Sequence, residues 1–147
     1  NGRDAEEIIK HSNRYFGIDY SSKFIRLARE KVPNGVFEVV DVEDYIFPDD
    51  LDIVFAFASL LHTPKEKLKD IFHQVFVSLN NGGIFRVSLK ETDNYFENTL
   101  DEGFGKRTFY FYSKKDVLEI AENFKILKLE SNTLSGQMWL EIILQKS

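Results

Sequence analysis

The chain contains no cysteine, and this absence excludes several kinds of chemistry. Disulfide bonds, thiolate nucleophiles and metal sites built on cysteine are all ruled out. The three histidines, His11, His62 and His73, lie too far apart in sequence to form a local metal-binding motif, so we expect no metal ion. The lack of cysteine fits a reducing compartment, and we expect a cytoplasmic protein.

Long apolar runs are also missing. No stretch approaches the roughly 18 apolar residues that a membrane-spanning helix needs, and the first residues are polar and charged, unlike those of a signal peptide. Acidic residues outnumber basic ones, and the formal net charge is -5. Proteins that bind nucleic acids need a cationic surface, so we predict that neither a nucleic acid nor a membrane is the partner.

The residues that are present suit one globular domain with a substantial core. The chain has 147 residues, of which 43% are hydrophobic and 14% aromatic. Apolar residues at helical spacing predict four helices, near residues 3–11, 21–32, 64–79 and 113–121. Short apolar runs predict six strands, over residues 15–19, 36–40, 51–58, 84–89, 124–130 and 137–144. We expect the strand over residues 51–58 to be a central one, covered on both faces.

Two connections complete the predicted topology. Residues 131–136 are too few for a helical crossover, so the last two strands must form an antiparallel pair. Residues 90–108 are polar and lack periodicity, and a connection of this length predicts a lid or binding loop. The order of elements predicts an α/β fold, a three-layer α/β/α sandwich whose Rossmann-like sheet is mostly parallel with a C-terminal antiparallel hairpin.

Several short motifs occur in a characteristic order. They are Gly17-Ile18-Asp19-Tyr20-Ser21, Val40-Asp41-Val42, Leu51-Asp52-Ile53-Val54 with Leu60-Leu61-His62, and Leu79-Asn80-Asn81-Gly82-Gly83-Ile84. With Asn1-Gly2-Arg3-Asp4-Ala5 at the start, this series resembles the class I S-adenosylmethionine-dependent methyltransferases, in particular their small-molecule group. In that family a first strand and most of the glycine motif precede Gly2, so we expect a single methyltransferase domain over residues 1–147 that is incomplete at its N-terminus.

The resemblance implies S-adenosylmethionine as cofactor and assigns residues to it. Asp19, at the end of a strand, is expected to accept hydrogen bonds from the ribose hydroxyls, with Tyr20 as an apolar wall beside the adenosine. Asp41 is expected to accept from the adenine amino group, while the Val42 N–H donates to the ring. Gly2 is the remaining glycine of the first motif. The alternatives are that Asp19 only caps the next helix and that Asp41 is an ordinary loop acid.

The resemblance places the reacting atoms near the strand that ends at Ala58. Ala56 is expected to let the backbone approach the cofactor, and Phe57 to offer its aromatic face to the positively charged methyl donor. Simple core packing is the alternative for both residues, and we prefer it for Ala58. Lys90, with Glu91 beside it, ends a later strand at the edge of the sheet expected for substrate contact, without a more specific signal.

Three side chains are candidates for catalysis. Histidine titrates near neutral pH, which suits a general base, and many small-molecule methyltransferases have a histidine at the position of His62. A structural histidine bonded to a loop carbonyl is the alternative. Tyr110 and Tyr112 alternate with Phe109 and Phe111, so one pair is expected to face the core and the other a pocket. The resemblance makes Tyr110 and Tyr112 candidates to orient substrate, with core packing as the alternative.

The predicted function is therefore in-line methyl transfer to a small-molecule acceptor by a monomer or homodimer. Two other functions fit parts of the pattern. A nicotinamide-dependent oxidoreductase would use Asp19 in the same way, although the closing hairpin and Asp41 argue against it. A non-catalytic relative that keeps the fold as a binding module is the second alternative.

Overall fold

The computed structural model describes residues 2–147, and contacts within the chain divide it into two compact units, Asn1–Ile46 and Phe47–Ser147. The prediction of a single domain stays a prediction. Within the described residues, no helix combines the length and the apolar character that crossing a membrane requires.

The first unit alternates helices and parallel strands. Helix α1 spans Arg3–Ile8 and continues as a short 3-10 turn, Ile9–His11. Strand β1 (Phe16–Asp19), helix α2 (Ser22–Lys31) and strand β2 (Val36–Val39) follow. The two strands pair in parallel, with Asp19 opposite Val39. These elements confirm the predicted ones to within a few residues at each end.

The core of the first unit is a small apolar cluster around Phe37. Its buried members are Ala5, Ile25, Ala28, Val32 and Phe37. A Cβ atom on Gly17 would lie 2.7 Å from the Phe37 ring, and one on Gly35 would lie 2.6 Å from it. Glycine is therefore required at both positions, because any side chain would displace the ring that fills this core.

The second unit is a mixed sheet with two helices. Its elements are β3 (Leu51–Ala56), α3 (Lys65–Ser78), β4 (Leu79–Glu91), β5 (Phe96–Asp101), β6 (Lys106–Tyr112), α4 (Lys114–Ile120), β7 (Lys125–Leu134) and β8 (Gln137–Gln145). The strand order is β5-β6-β4-β8-β7, and β3 also pairs with β4. Strand β4 is parallel to β3 and β6 and antiparallel to β8, which confirms the predicted mixed sheet.

Helix α3 packs against the sheet as its periodicity predicts. Its buried face consists of Leu68, Ile71, Phe72, Val75 and Ser78. The Phe72 ring meets Phe85 of β4 edge-on with centroids 4.9 Å apart, and Phe76 meets Phe124 in the same manner at 5.1 Å. Edge-to-face contacts of this kind stabilise an aromatic core beyond the area that they bury.

The closing hairpin confirms the predicted antiparallel pair, with longer strands than expected. Strands β7 and β8 pair from Leu134 and Gln137 outward, so only Ser135 and Gly136 form the turn. Both turn residues have positive φ, 51° and 76°. This geometry is typical of a type I′ turn, whose twist matches that of the two strands.

The interpretation of residues 90–108 as a loop is wrong. Strand β4 continues through Glu91, and β5 and β6 form an antiparallel hairpin whose connection includes Gly103 and Gly105, both with positive φ. Most side chains of β5 are exposed. A strand without a buried face has no reason to alternate apolar and polar residues, so periodicity could not reveal it.

The prediction that the strand over residues 51–58 is covered on both faces is also wrong. Within the second unit β3 pairs only with β4, and Ile53 and Phe55 are 52% and 39% exposed. An apolar run indicates that a strand tends to be buried. Whether both faces are covered depends on which elements lie beside the strand. Helix α3 ends at Ser78, and Gly82, with φ 81°, lies within β4.

The start of helix α4 provides a test of acid stability. Ser113 and Asp116 form a capping box, and the Asp116 carboxylate also accepts from the Lys65 ammonium at 2.9 Å. Burial alone would raise the pKa of Asp116, but the hydrogen bonds from Ser113 and Lys65 outweigh burial and hold the pKa below its ordinary value. The resulting stabilisation is present at neutral pH and is lost as the pH falls through the lowered pKa.

We therefore expect Asp116→Asn to lower the free energy of unfolding by about 1–2 kcal/mol at pH 7, as the loss of a helix cap does. The difference from the wild type should shrink when urea unfolding is repeated at acid pH. Asp70→Asn, which removes an exposed carboxylate on α3, is the control. A difference that stays constant down to pH 2 would contradict the assignment.

Candidate functional site

In the first unit, Asp19 ends strand β1 with one carboxylate oxygen engaged. Its Oδ1 accepts a hydrogen bond from the Ser21 N–H at 2.8 Å, and the Ser21 hydroxyl in turn accepts from the Phe24 N–H at 3.4 Å. Within residues 2–147 the other oxygen, Oδ2, has no hydrogen-bond partner. Asp19 thus positions the start of α2 and still presents a free acceptor, so the two interpretations of this residue are compatible.

Asp41 follows strand β2 in a similar turn. Its Oδ1 accepts from the Glu43 N–H at 3.0 Å, and its backbone carbonyl accepts from the Asp44 N–H at 3.0 Å. The Val42 N–H has no acceptor among the described residues. A carboxylate and a free N–H therefore stand next to each other after β2, which is the pair that recognition of an adenine edge requires.

Gly2 and Tyr20 occupy different environments in the same unit. Gly2 has φ 80° at the start of α1, and a Cβ atom there would lie 2.9 Å from the Ala28 Cα. Glycine at this position is thus explained by the close packing of α1 on α2, whether or not a ligand approaches it. Tyr20 directly follows Asp19 and is 62% exposed. Asn1, which precedes Gly2 in the motif Asn1-Gly2-Arg3-Asp4-Ala5, lies outside the described residues.

In the second unit, strand β3 ends in strained backbone. Ala56 is buried and pairs with Val87 of β4. Ala58 has φ 49°, a conformation that L-residues seldom adopt, and its N–H donates to the Ser88 hydroxyl at 2.9 Å. The preference for core packing at Ala58 is wrong, because the residue is exposed. Strain at the end of a strand is typical of functional sites, and alanine gives no sequence signal of it.

Phe57 is 43% exposed and already contacts a cation. The guanidinium carbon of Arg86 lies 5.2 Å from the Phe57 ring centroid, and Arg86 also donates to Glu141 at 2.8 Å. One face of the ring is therefore covered by a paired arginine. Any positively charged ligand would contact the other face or the edge.

His62 is held in one tautomer by strand β6. Its Nδ1 lies 2.8 Å from the Thr108 carbonyl oxygen. Because a carbonyl can only accept, Nδ1 carries the hydrogen and the neutral ring presents Nε2 as an acceptor. Within the described part of the chain Nε2 has no partner. The predicted structural bond and the predicted general base thus use different nitrogens of the same ring.

The two tyrosines of β6 have different surroundings. Tyr110 is half-buried, its ring stacks on that of Tyr95 with centroids 6.3 Å apart, and its N–H donates to the Leu61 carbonyl at 2.9 Å. Tyr112 is fully buried and donates its hydroxyl to the Thr63 carbonyl at 2.6 Å. Burial raises the pKa of Tyr112 far above that of an exposed tyrosine.

The prediction that Tyr112 orients substrate is therefore wrong, because a substrate cannot reach a fully buried side chain. The predicted alternation along β6 is confirmed, but the prediction of which face points away from the core is wrong. Phe109, on the opposite face from Tyr110, lies 4.5 Å from the His62 ring. The Lys90 ammonium lies 4.2 Å from the same Phe109 ring. Phe109 carries no chemical signal in sequence, and only the pairing of β6 reveals its place.

In the second unit, His62 and Lys90 both contact Phe109 and define one cluster with it, whereas Tyr110 lies on the opposite face of β6. The cluster combines a neutral acceptor nitrogen, an ammonium and an aromatic wall. No group of three or more carboxylate or imidazole side chains suited to a metal ion occurs among residues 2–147.

Comparison with known proteins gives one family match and several similar folds. A family model described as a methyltransferase domain matches residues 1–83. A comparison with curated protein sequences finds no match.

Three solved structures show the likeness of fold. A putative S-adenosylmethionine-dependent methyltransferase from Listeria monocytogenes has a TM-score of 0.85 at 18% identity, covering 98% of this chain and 85% of its own. An S-adenosylmethionine-dependent methyltransferase from Mesorhizobium loti has a TM-score of 0.81 at 18% identity, with 99% and 86% covered. A Burkholderia thailandensis 1,6-didemethyltoxoflavin-N1-methyltransferase has a TM-score of 0.75 at 16% identity, with 99% and 67% covered. At these identities the likeness concerns the fold.

The environment of Tyr112 generates a prediction. Tyr112→Phe removes the hydroxyl that satisfies the Thr63 carbonyl, and we expect the free energy of unfolding to fall by about 1–2 kcal/mol. Urea denaturation of the variant and the wild type measures this difference. If Tyr112 instead contacted a substrate, the variant would keep its stability and lose activity, and that result would contradict the structural assignment.

Proposed function

The chain belongs to the methyltransferase domain family and has the class I S-adenosylmethionine-dependent methyltransferase fold, and we propose that it methylates a small-molecule acceptor. The observation that carries this proposal is Asp19, a strand-end carboxylate with one free oxygen. The family match supports the cofactor, and the residues after β1 and β2 fit its adenosine portion. Asp19 has an acceptor for the ribose, and Asp41 with Val42 has an acceptor and a donor for the adenine.

Each of these residues then has a definite task in binding. The free Oδ2 of Asp19 accepts from a ribose hydroxyl while Oδ1 keeps its bond to the Ser21 N–H. The Asp41 carboxylate accepts from the adenine amino group, and the Val42 N–H donates to the ring. Tyr20, exposed beside Asp19, covers the adenosine as an apolar wall. Gly2 allows the backbone at the start of α1 to approach the cofactor closely.

The residues at the end of β3 suit the reacting part of the cofactor. When bound, S-adenosylmethionine supplies a sulfonium methyl group for in-line displacement. Ala56 has the smallest side chain that keeps the strand regular, and it leaves room for close approach to the backbone. Phe57 offers the aromatic surface that Arg86 does not cover. Holding two reactants in the correct geometry can supply about 7–11 kcal/mol of the barrier, so positioning is the main contribution asked of these residues.

His62 acts on the acceptor. The Nε2 of His62 takes the proton of an acceptor hydroxyl or amine, and the imidazolium that forms keeps its Nδ1–H bonded to the Thr108 carbonyl. Tyr110 stacks on Tyr95 on the opposite face of β6 from Phe109, and it supports the strand whose Thr108 carbonyl holds His62. A small-molecule acceptor is supported by the Burkholderia thailandensis structure of the same fold, which holds 1,6-didemethyltoxoflavin and S-adenosylhomocysteine.

The role of Asp19 predicts a loss of cofactor affinity in Asp19→Asn. Asparagine keeps an oxygen for the Ser21 N–H, so the start of α2 should stay intact. We expect the affinity for S-adenosylhomocysteine to fall at least tenfold in calorimetry, because a charged acceptor is replaced by a neutral amide. Asp44→Asn, an exposed acid in the same unit, should bind as the wild type does. Equal affinities in all three proteins would exclude the ribose assignment.

The role of His62 predicts a loss of rate without a loss of cofactor affinity. We expect His62→Gln to slow methyl transfer by about 10²–10⁴-fold, the usual contribution of a general base, while calorimetry shows unchanged binding of S-adenosylhomocysteine. His73→Gln, which alters an exposed histidine on α3, serves as the control. Wild-type rates for His62→Gln would show that the acceptor is attacked without help from this imidazole.

A further inference from the structure

Lys90 holds its ammonium group in an unusual setting near the end of strand β4. The Nζ atom lies 4.2 Å from the centroid of the Phe109 ring and 5.4 Å from that of Phe111. Both rings belong to strand β6, which pairs with β4 beside Lys90. The aromatic faces hold the cation in place by their negative electrostatic potential, but they provide no hydrogen-bond acceptor.

The other half-buried lysines differ from Lys90 in this respect. Lys65, Lys128 and Lys146 all donate to oxygen atoms of the protein, at 2.9, 3.0 and 2.7 Å. Within residues 2–147, Lys90 donates to no oxygen and pairs with no carboxylate. An ammonium has three donors, and partial burial without acceptors is costly. Lys90 is therefore a preformed cation whose hydrogen-bonding capacity is free.

The position of Lys90 connects this free cation to the proposed chemistry. Phe109 contacts both the Lys90 ammonium and, at 4.5 Å, the ring of His62. Ser88, two residues earlier on the same face of β4, accepts from the N–H of Ala58 just after β3. Lys90 thus shares the Phe109 ring with the imidazole whose Nε2 is free, and it lies on the same face of β4 as the Ser88 hydroxyl that binds the Ala58 N–H.

We propose that Lys90 binds an anionic oxygen group of the methyl acceptor, so that the acceptor is a small carboxylic acid. This inference rests on the proposed function. The ammonium donates to the carboxylate while it stays on the faces of Phe109 and Phe111, and His62 faces the nucleophile of the same molecule. The net charge of -5 repels anions in general, so a local cation is needed to admit an acid. A charge-assisted bond of this kind favours the acid over its neutral amide by about 10–100-fold.

Nuclear magnetic resonance on the complete chain tests this binding directly. The ε-methylene resonances of Lys90 should be displaced by the ring currents of the two phenylalanines, which distinguishes them from those of exposed lysines. The protein is titrated with benzoate and acetate and, separately, with their neutral amides benzamide and acetamide. We expect saturable shifts at Lys90 with the two carboxylates, and at least tenfold weaker binding of the amides. Shifts at Lys90 no larger than those at the exposed Lys67, or equal responses to acids and amides, would overturn the proposal.

A matched pair of variants distinguishes the effect of the Lys90 charge from that of an exposed lysine charge. Lys90→Met keeps the apolar stem on the aromatic rings and removes the charge, and Lys67→Met removes an exposed charge on α3. Benzoate binding, followed by the resonances of Phe109 and His62, should weaken at least tenfold in Lys90→Met and stay unchanged in Lys67→Met. Equal benzoate affinity in both variants would refute the role of Lys90.

A parallel calorimetric titration with S-adenosylhomocysteine separates this inference from the proposed function. Both lysine variants should bind S-adenosylhomocysteine as the wild type does. Failure of the wild type to bind it would refute the proposed function, whereas failure of benzoate to shift Lys90 in a protein that binds S-adenosylhomocysteine would refute only the acid acceptor.

Discussion

Three hydrogen bonds attach residues 61–63 to strand β6. The Tyr110 N–H donates to the Leu61 carbonyl, the Nδ1 of His62 bonds to the Thr108 carbonyl, and the Tyr112 hydroxyl donates to the Thr63 carbonyl. The segment after β3 would otherwise be a free loop. Because it is fastened to the hairpin of β5 and β6, the tautomer of His62 and the contact of His62 with Phe109 depend on these bonds.

Because side chains alternate along β6, its two faces have different roles. Tyr112 fills the core and bonds to Thr63, while Phe109 and Phe111 on the other face hold the Lys90 ammonium. One strand thus stabilises the unit and shapes the candidate site. Polar residues suggest a function in the sequence, but some of them, such as Tyr112, are structural in this fold. The apolar Phe109 is the residue that brings His62 and Lys90 together.

Predictions that depended on neighbouring residues in sequence are the ones that the structure confirms. The helices predicted near residues 21–32 and 113–121 begin at Ser21 and Ser113, whose side chains bond to residues three positions later, and the buried face of α3 follows from a repeat within one helix. The hairpin of β7 and β8 follows from the shortness of its connection. Errors arose where the outcome depended on distant segments. The exposed hairpin of β5 and β6 has no apolar alternation to detect, and the coverage of β3 depends on which strands lie beside it.

By itself the sequence determined the family, the order of elements and the location of Asp19 and Asp41 at strand ends, because each of these follows from local patterns and their spacing. Only the tertiary structure decided which nitrogen of His62 is free, that Tyr112 belongs to the core, and that Lys90 lacks an oxygen partner. The reason is physical. The partner of His62 is Thr108, and whether a side chain is satisfied or free depends on atoms that only folding brings within hydrogen-bond distance.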